Sequence, residues 1–226
     1  TQAKEQELRA RSMALQTQIN PHFYYNTLSS IMVLAENGDS QTVVKMCRNL
    51  SQIMRYITST AETTVTLKDE LDYVQKYLYC MKVRYQSSLN YSIDVDERLL
   101  SQPVPKLIIQ PIVENAIRYG SDCAPPWNIS VTSVVTHGSW QIEVSDTGPG
   151  FTEEAKERIT ANIMKAIQNP GLPELKINGL GTVNVYLRWK IFCKGDIIFR
   201  YGNNADGHGV VSIGRYFQNK EDTETV

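Results

Sequence analysis

Gln16-Thr17-Gln18-Ile19-Asn20-Pro21-His22-Phe23-Tyr24-Tyr25-Asn26 is the stretch where one helical pattern ends and the next begins. Pro21 cannot donate to the carbonyl four residues back and pushes Asn20 away from helical angles, so a kink or a fresh start falls just before His22. On the helix that follows, His22 and Asn26 stack on one face a turn apart. A group attached to the imidazole would therefore lie within reach of the carboxamide. A lone histidine on an amphipathic helix is more often packed or solvated than reactive, and the signals further along the chain have to decide between these readings.

Upstream, residues 1–20 are good helix formers, with Leu8, Leu15 and His22 at heptad spacing. A single polar helix is marginal, so this one is expected to pair with a copy of itself or to continue a helix from further upstream. Downstream, Tyr24, Leu28, Ile31 and Ala35 make an apolar stripe that stops at the turn signal Asn37-Gly38-Asp39. Val43, Cys47, Leu50, Met54 and Ile57 make a second stripe. Two such helices form an antiparallel hairpin with one open apolar face. That face packs either on the following domain or against a second copy in a four-helix bundle, and the homodimer is the favoured reading.

The totals describe an ordinary globular chain. At 226 residues it accommodates one large domain or two modest ones, with 42% hydrophobic and 21% charged residues. A net charge of -1 without a Lys/Arg cluster gives no electrostatic footprint for nucleic acid or anionic membrane. Cys47, Cys80, Cys123 and Cys193 lack metal-ligand spacing and read as reduced. No apolar run is long enough for a membrane span and no signal peptide opens the chain. Because the sequence starts at Thr1 in mid-pattern, it reads as a piece of something longer.

Residues 58–66 are polar and stripeless, and the boundary between an N-terminal unit, residues 1–65, and a second domain, residues 66–217, is placed there. Thr66 with Asp69 fits a capping box opening a helix to about Arg84, with Val74, Tyr77, Leu78 and Met81 inward. Residues 89–95 alternate as a strand, and Pro103 and Pro105 introduce a helix carrying residues 107–119. Residues 129–135 and 140–144 read as a hairpin. A polar helix from about Glu153 leads into the Pro/Gly-containing segment 169–173. The chain closes with a helix over 182–192, strands over 197–201 and 209–217, and a tail, residues 218–226, expected to be disordered.

Three signals carry chemistry. Asp146-Thr147-Gly148-Pro149-Gly150 ends a strand: a carboxylate there can accept from an exocyclic amine, and the glycines let backbone approach a planar ring. Asp-Thr-Gly also occurs in aspartic proteases, but a single copy in a half-helical chain cannot supply their paired carboxylates. Glu114-Asn115-Ala116-Ile117-Arg118-Tyr119 lies on the preceding helix. Asn115 offers a neutral oxygen suited to Mg2+, and Arg118 shares its face and can pair with phosphate. Gly179-Leu180-Gly181-Thr182 precedes a helix and presents free N–H groups to an anion. Neither a P-loop nor a full dinucleotide-binding fingerprint is present.

The runs Gln18-Ile19-Asn20-Pro21-His22-Phe23 through Asn26, Gln110-Pro111-Ile112-Val113-Glu114-Asn115-Ala116, Asp146-x-Gly148-x-Gly150 and Gly179-x-Gly181-x-x-Asn184 together resemble the LytS/YesM-type sensor histidine kinases. The likeness covers residues 15–217. It implies an α+β chain: a helical hairpin forming a dimeric four-helix bundle, followed by an α/β sandwich of the Bergerat ATP-binding type with a mixed, mainly antiparallel sheet. It further implies ATP and Mg2+, autophosphorylation of His22, and transfer to an aspartate of a response regulator, with a nucleotide-binding pseudokinase scaffold as the alternative. By the same resemblance Asn115 binds Mg2+, Asp146 reads adenine, Gly148 and Gly150 form its loop, and Gly179 and Gly181 flank the phosphates, with Tyr119 and Thr182 beside them. Residues 151–178 correspond to an ATP lid. Asn26 is a candidate for orienting a water in the reverse, phosphatase, reaction. Phe23 stands where many histidine kinases carry an acidic base, which leaves Glu114 as a candidate proton acceptor. Arg118 replaces the more common Lys, and Tyr24 the usual Leu. The sensing part would lie upstream, so the chain is expected to be the cytoplasmic end of a membrane-anchored sensor.

Overall fold

The computed structural model describes residues 21–59, 63–168 and 181–217. The expected helix over residues 1–20, Gly179, the part of the expected lid after residue 168 and the tail lie outside the described residues. Among the described residues α1 is Pro21–Glu36, and α2, Ser40–Thr58, returns beside it. Gly38, with φ +76, makes the turn, and the Asp39 side chain accepts from the Thr42 N–H to cap α2.

Of the two expected stripes only Leu50 is buried within the chain, while Tyr24, Ile31, Val43 and Ile57 are half-buried and Leu28, Ala35, Cys47 and Met54 are exposed, so most of the apolar face expected to be open is open. Phe23 and Thr27 are the buried positions of α1, and Met46, Leu50 and Ile53 those of α2. The hairpin turns this inner face onto the next helix, α3, Leu67–Tyr85. Phe23 lies against Tyr77 with ring centroids 4.9 Å apart, and the Thr27 hydroxyl is satisfied by the Phe23 carbonyl at 2.7 Å, which lets a polar residue sit inside. Each hairpin helix thus has two apolar faces, and the spacing of the stripes marked only one of them.

α3 opens with the expected capping box. Thr66 Oγ1 accepts from the Asp69 N–H, and the Asp69 carboxylate accepts from the Thr66 N–H. Val74, Tyr77, Leu78 and Met81 are buried as expected. The prolines at 103 and 105 belong to a strand rather than introducing a helix: β1, Thr64–Thr66, pairs antiparallel with β3, Pro103–Pro105. Prolines two residues apart can both turn their missing N–H groups away from the partner strand, as an edge strand tolerates.

The main sheet runs in the order β2-β4-β5-β7-β6. β2 is Leu89–Asp94, β4 Trp127–Val135, β5 Ser139–Asp146, β6 Ile197–Asn203 and β7 Gly209–Tyr216. β2 pairs parallel with β4, and the other three pairs are antiparallel, so the sheet is mixed and mainly antiparallel. Alternation gives it one apolar face. Ile129, Val131, Trp140, Ile142, Val144, Val211 and Ile213 are buried on it, while Gln141 and Glu143 hydrogen-bond each other on the opposite face. Three helices supply the remaining core: α3, α4 (Gln110–Gly120) and α6 (Gly181–Cys193). Trp189 of α6 anchors this layer by donating to the Gly214 carbonyl at 2.7 Å and meeting Trp140 edge to face. α5, Glu153–Gln168, packs beside α6. The result is an α+β chain, a helical hairpin followed by a two-layer sandwich.

Candidate nucleotide site

Asp146 ends β5, and its carboxylate Oδ1 accepts from the Gly148 N–H at 2.8 Å. Burial pushes the pKa of Asp146 up; the Gly148 N–H and the nearby His208 pull it back down. The loop turns so tightly that a Cβ at residue 148 would lie 2.8 Å from the Tyr119 carbonyl and 2.9 Å from the Gly120 Cα. Only glycine allows the end of α4 and the Asp146 loop to touch backbone to backbone. Gly209 of β7 passes equally close, its missing Cβ leaving room for Asp146 Oδ2.

This loop is held from the far edge of the sheet. Asn203 accepts from the Phe151 N–H at 2.7 Å and donates to the Phe151 carbonyl at 3.1 Å. His208 Nδ1 lies 2.8 Å from the Gly148 carbonyl, a contact in which the ring nitrogen donates. The turn between β6 and β7 is itself ordered by Asn204, whose side chain accepts from the Asp206 and His208 N–H groups. Gly150, at φ +73, sits beneath Asn203 and Gly207. Asn203 and His208 were not singled out from sequence. Their only signal is a polar turn closing a hairpin, which reads as ordinary turn chemistry.

On α4, Asn115 faces the first residue of α6: a Cβ on Gly181 would come 3.2 Å from Asn115 Nδ2. The α6 N-terminus, with Thr182 in its first turn, therefore stands over the Asn115 amide. Glu114 is partly buried and accepts from Gln110 Nε2 at 2.8 Å. Burial raises its pKa and the Gln110 hydrogen bond lowers it. The charge of Glu114 bears on Tyr24 of α1 and on Tyr73 and Tyr77 of α3, so it faces the hairpin side of α4. Arg118 is exposed and lies over the ring of its neighbour Tyr119, itself 43% exposed.

Asp146, Gly148, Gly150, Tyr119, Asn115 and Gly181 are thus assembled around one end of the sandwich. His22 and Asn26 are carried on α1 of the hairpin, His22 exposed and Asn26 half-buried. Among the described residues no group of three or more His, Cys, Asp or Glu side chains could hold a metal by itself.

Residues 10–89 match the sequence model of the family described as histidine kinase. Residues 102–213 match that of the histidine kinase-, DNA gyrase B- and HSP90-like ATPases. The chain belongs to the histidine kinases. This histidine kinase chain is 36% identical over 149 residues to the sensor histidine kinase YesM of Bacillus subtilis, covering 66% of the chain and 25% of YesM. It is 34% identical over 193 residues to the sensor histidine kinase YpdA of Escherichia coli, covering 84% of the chain and 32% of YpdA. A sensor-like histidine kinase of Staphylococcus epidermidis is 30% identical over 199 residues, covering 84% of the chain and 38% of that protein. The chain therefore spans between 25% and 38% of the length of these relatives. No helix among the described residues is long and apolar enough to cross a membrane. The ATPase family gives residues 102–213 their ligand class, a nucleotide.

Proposed function

We propose that this chain is the ATP-dependent phosphotransfer part of a sensor histidine kinase, in which His22 accepts the γ-phosphoryl group and passes it to an aspartate of a response regulator. One observation carries the reading: Asn115, the α6 N-terminus and the glycine-bounded Asp146 loop converge, while a histidine stands on a separate hairpin helix. Asp146 accepts from the adenine amine, and the amides of Gly181 and Thr182 meet phosphate oxygens. Arg118 adds a positive charge at the rim. Mg2+ suits this donor set, because one neutral amide oxygen leaves most coordination positions to water and phosphate; Asn115 would hold it. When bound, the ion would offset charge on the phosphoryl oxygens.

In the transfer itself, the lone-pair nitrogen of neutral His22 forms the N–P bond as the P–O bond to ADP breaks. The proton on the other ring nitrogen then passes to a carboxylate, and Glu114, its pKa raised by burial and its charge felt on α1, is the candidate. Asn26, one turn from His22, orients a water for the reverse hydrolysis. The division into a hairpin unit to about residue 65 and a nucleotide domain over 66–217 belongs to this reading, since the two must approach for transfer. So does a homodimer formed by the exposed faces of α1 and α2, and so does a membrane-anchored sensor upstream.

The test is transfer of labelled γ-phosphate from Mg–ATP to the purified chain. An acid-labile, alkali-stable label that is absent in His22→Gln and strongly reduced in Asn115→Ala is the expected result. Nucleotide binding without any label, in a chain lengthened upstream as well, would favour a pseudokinase scaffold.

A further inference from the structure

Behind the nucleotide site lies a buried cluster of charged groups that neither nucleotide nor phosphate would touch. Glu70 of α3 is fully buried, and its carboxylate receives four donors. Oε1 accepts from the Tyr56 hydroxyl and the Leu107 N–H, each at 2.5 Å; Oε2 accepts from the Ile108 N–H at 2.9 Å and the Ile109 N–H at 3.2 Å. These three amides belong to the segment immediately before Gln110, the first residue of α4, so Glu70 fixes from another element how the chain enters that helix. Leu107 holds a φ of +59, which is what lets three consecutive N–H groups converge on one side chain.

The same short segment is gripped from its carbonyl side. Arg188 of α6, 3% exposed, donates through Nη1 to the Leu107 carbonyl at 2.8 Å and through Nη2 to the Lys106 carbonyl. Lys106, also buried, runs back to the hairpin: its ammonium donates to the Ser59 carbonyl at 2.6 Å and lies 4.8 Å from the centroid of the Tyr56 ring. Tyr56 is stacked on Tyr73 of α3. The end of α2, the start of α4 and the body of α6 are therefore joined through residues 106–109. Burial pushes the Glu70 pKa up while its four hydrogen bonds oppose that rise, and burial lowers the Arg188 pKa while Glu70 raises it.

A cluster of this kind is costly to bury and contributes little net stability over well-packed apolar groups, but it admits one geometry. We propose that Glu70 is a positioning residue that ties the end of the hairpin, at Tyr56, to the start of α4, so that the placement of α2 is read at Asn115 and nucleotide binding is read at the end of α2. Beside Tyr56 an open cleft of about 370 Å³, lined by Gln52, Arg55, Ser59, Asp69, Asp72 and Lys76, leaves α2 room to shift against α3. This inference rests on the nucleotide-binding reading above. Coupling between two sites is reciprocal in binding free energy, so either direction can be measured.

The decisive variant is Tyr56→Phe. It keeps the ring stack, the Lys106–Ser59 hydrogen bond and the three amide donors of Glu70, and removes only the hydrogen bond by which Glu70 itself holds the hairpin. Amide hydrogen exchange is followed with and without saturating ADP as the probe, alongside the ADP dissociation constant. In the wild type, ADP should slow exchange at least threefold both at residues 107–113 and at residues 55–59. In Tyr56→Phe, ADP should bind within twofold of wild type and still protect 107–113, but lose the protection at 55–59. The rate constant for His22 labelling should fall about fivefold with the KM for ATP within twofold, a split that general loosening of the fold would not produce. Protection at 55–59 that survives in Tyr56→Phe, or that is missing in a wild type that binds ADP, overturns the coupling and leaves the nucleotide reading intact. A wild type that does not bind ADP brings down both.

Discussion

Asp146 and Glu114 are two carboxylates whose pKa values burial raises, and the consequences differ because their partners differ. Asp146 already holds the Gly148 N–H and has one oxygen facing the Gly209 backbone, so it is fixed before a base arrives. A hydrogen bond to a charged acceptor contributes about 1.5–3 kcal/mol, so Asp146→Asn should weaken ATP binding roughly 10- to 150-fold. Displacement of a fluorescent nucleotide measures it, and a loss below threefold would remove Asp146 from base recognition. For Glu114 the folded pKa lies above the unfolded one, so the folded chain holds its proton more tightly. Its contribution to stability is complete below the ordinary glutamate value, about 4.3, and is lost as pH rises through the raised pKa. Glu114→Gln should therefore raise Tm at neutral pH and leave it unchanged near about pH 4, checked by melts across that range. The Asp146 loop was legible in the sequence because close backbone approach demands glycine beside a specific side chain. Glu70 was not. Its partners are backbone amides 37 to 39 residues away, which no side-chain spacing advertises. The available signal was its place in the buried stripe of α3, between Leu67 and Val74, where a charge must find partners.

Local chemistry decides some elements and tertiary contacts decide others. α3 starts where Thr66 and Asp69 satisfy each other's N–H groups, and nothing distant is needed. Thr66→Ala should cost about 1 kcal/mol, lowering Tm by about 2–4 °C; an unchanged melt would mean that the β1–β3 pairing alone sets the start of this helix. The sheet strands were likewise readable from alternation. The prolines at 103 and 105 were misread because a Pro-x-Pro sequence fits a helix entrance as well as an edge strand; only the pairing of Val104 with Val65 distinguishes them. The hairpin helices were found at the right places, but the second buried face that packs on α3, carrying Phe23, Met46 and Ile53, was not read from the sequence. Phe23, outside the expected stripe, is taken up by Tyr77 of α3, a contact that spacing within α1 does not announce.

For the molecule as a whole, the packing of the hairpin onto α3 leaves an outer apolar surface. Tyr25, Leu28 and Met32 follow one another along α1 at helical spacing, and Val44 and Met54 are exposed on α2. A second copy is the occupant the proposed function calls for, and Met32→Glu should convert a dimer to monomers with little change in secondary structure, as read by sedimentation and circular dichroism. A wild type that is monomeric at high concentration would count against the bundle. The two readings of the hairpin are compatible, because the face on α3 and the outer face are different faces. The Asn203 and His208 contacts have their own consequence at this scale. They brace the Asp146 loop from across the sheet without help from any ligand. If that loop holds the base, as the proposed function has it, ADP would be held there much as ATP is, and escape of the spent nucleotide would pace turnover.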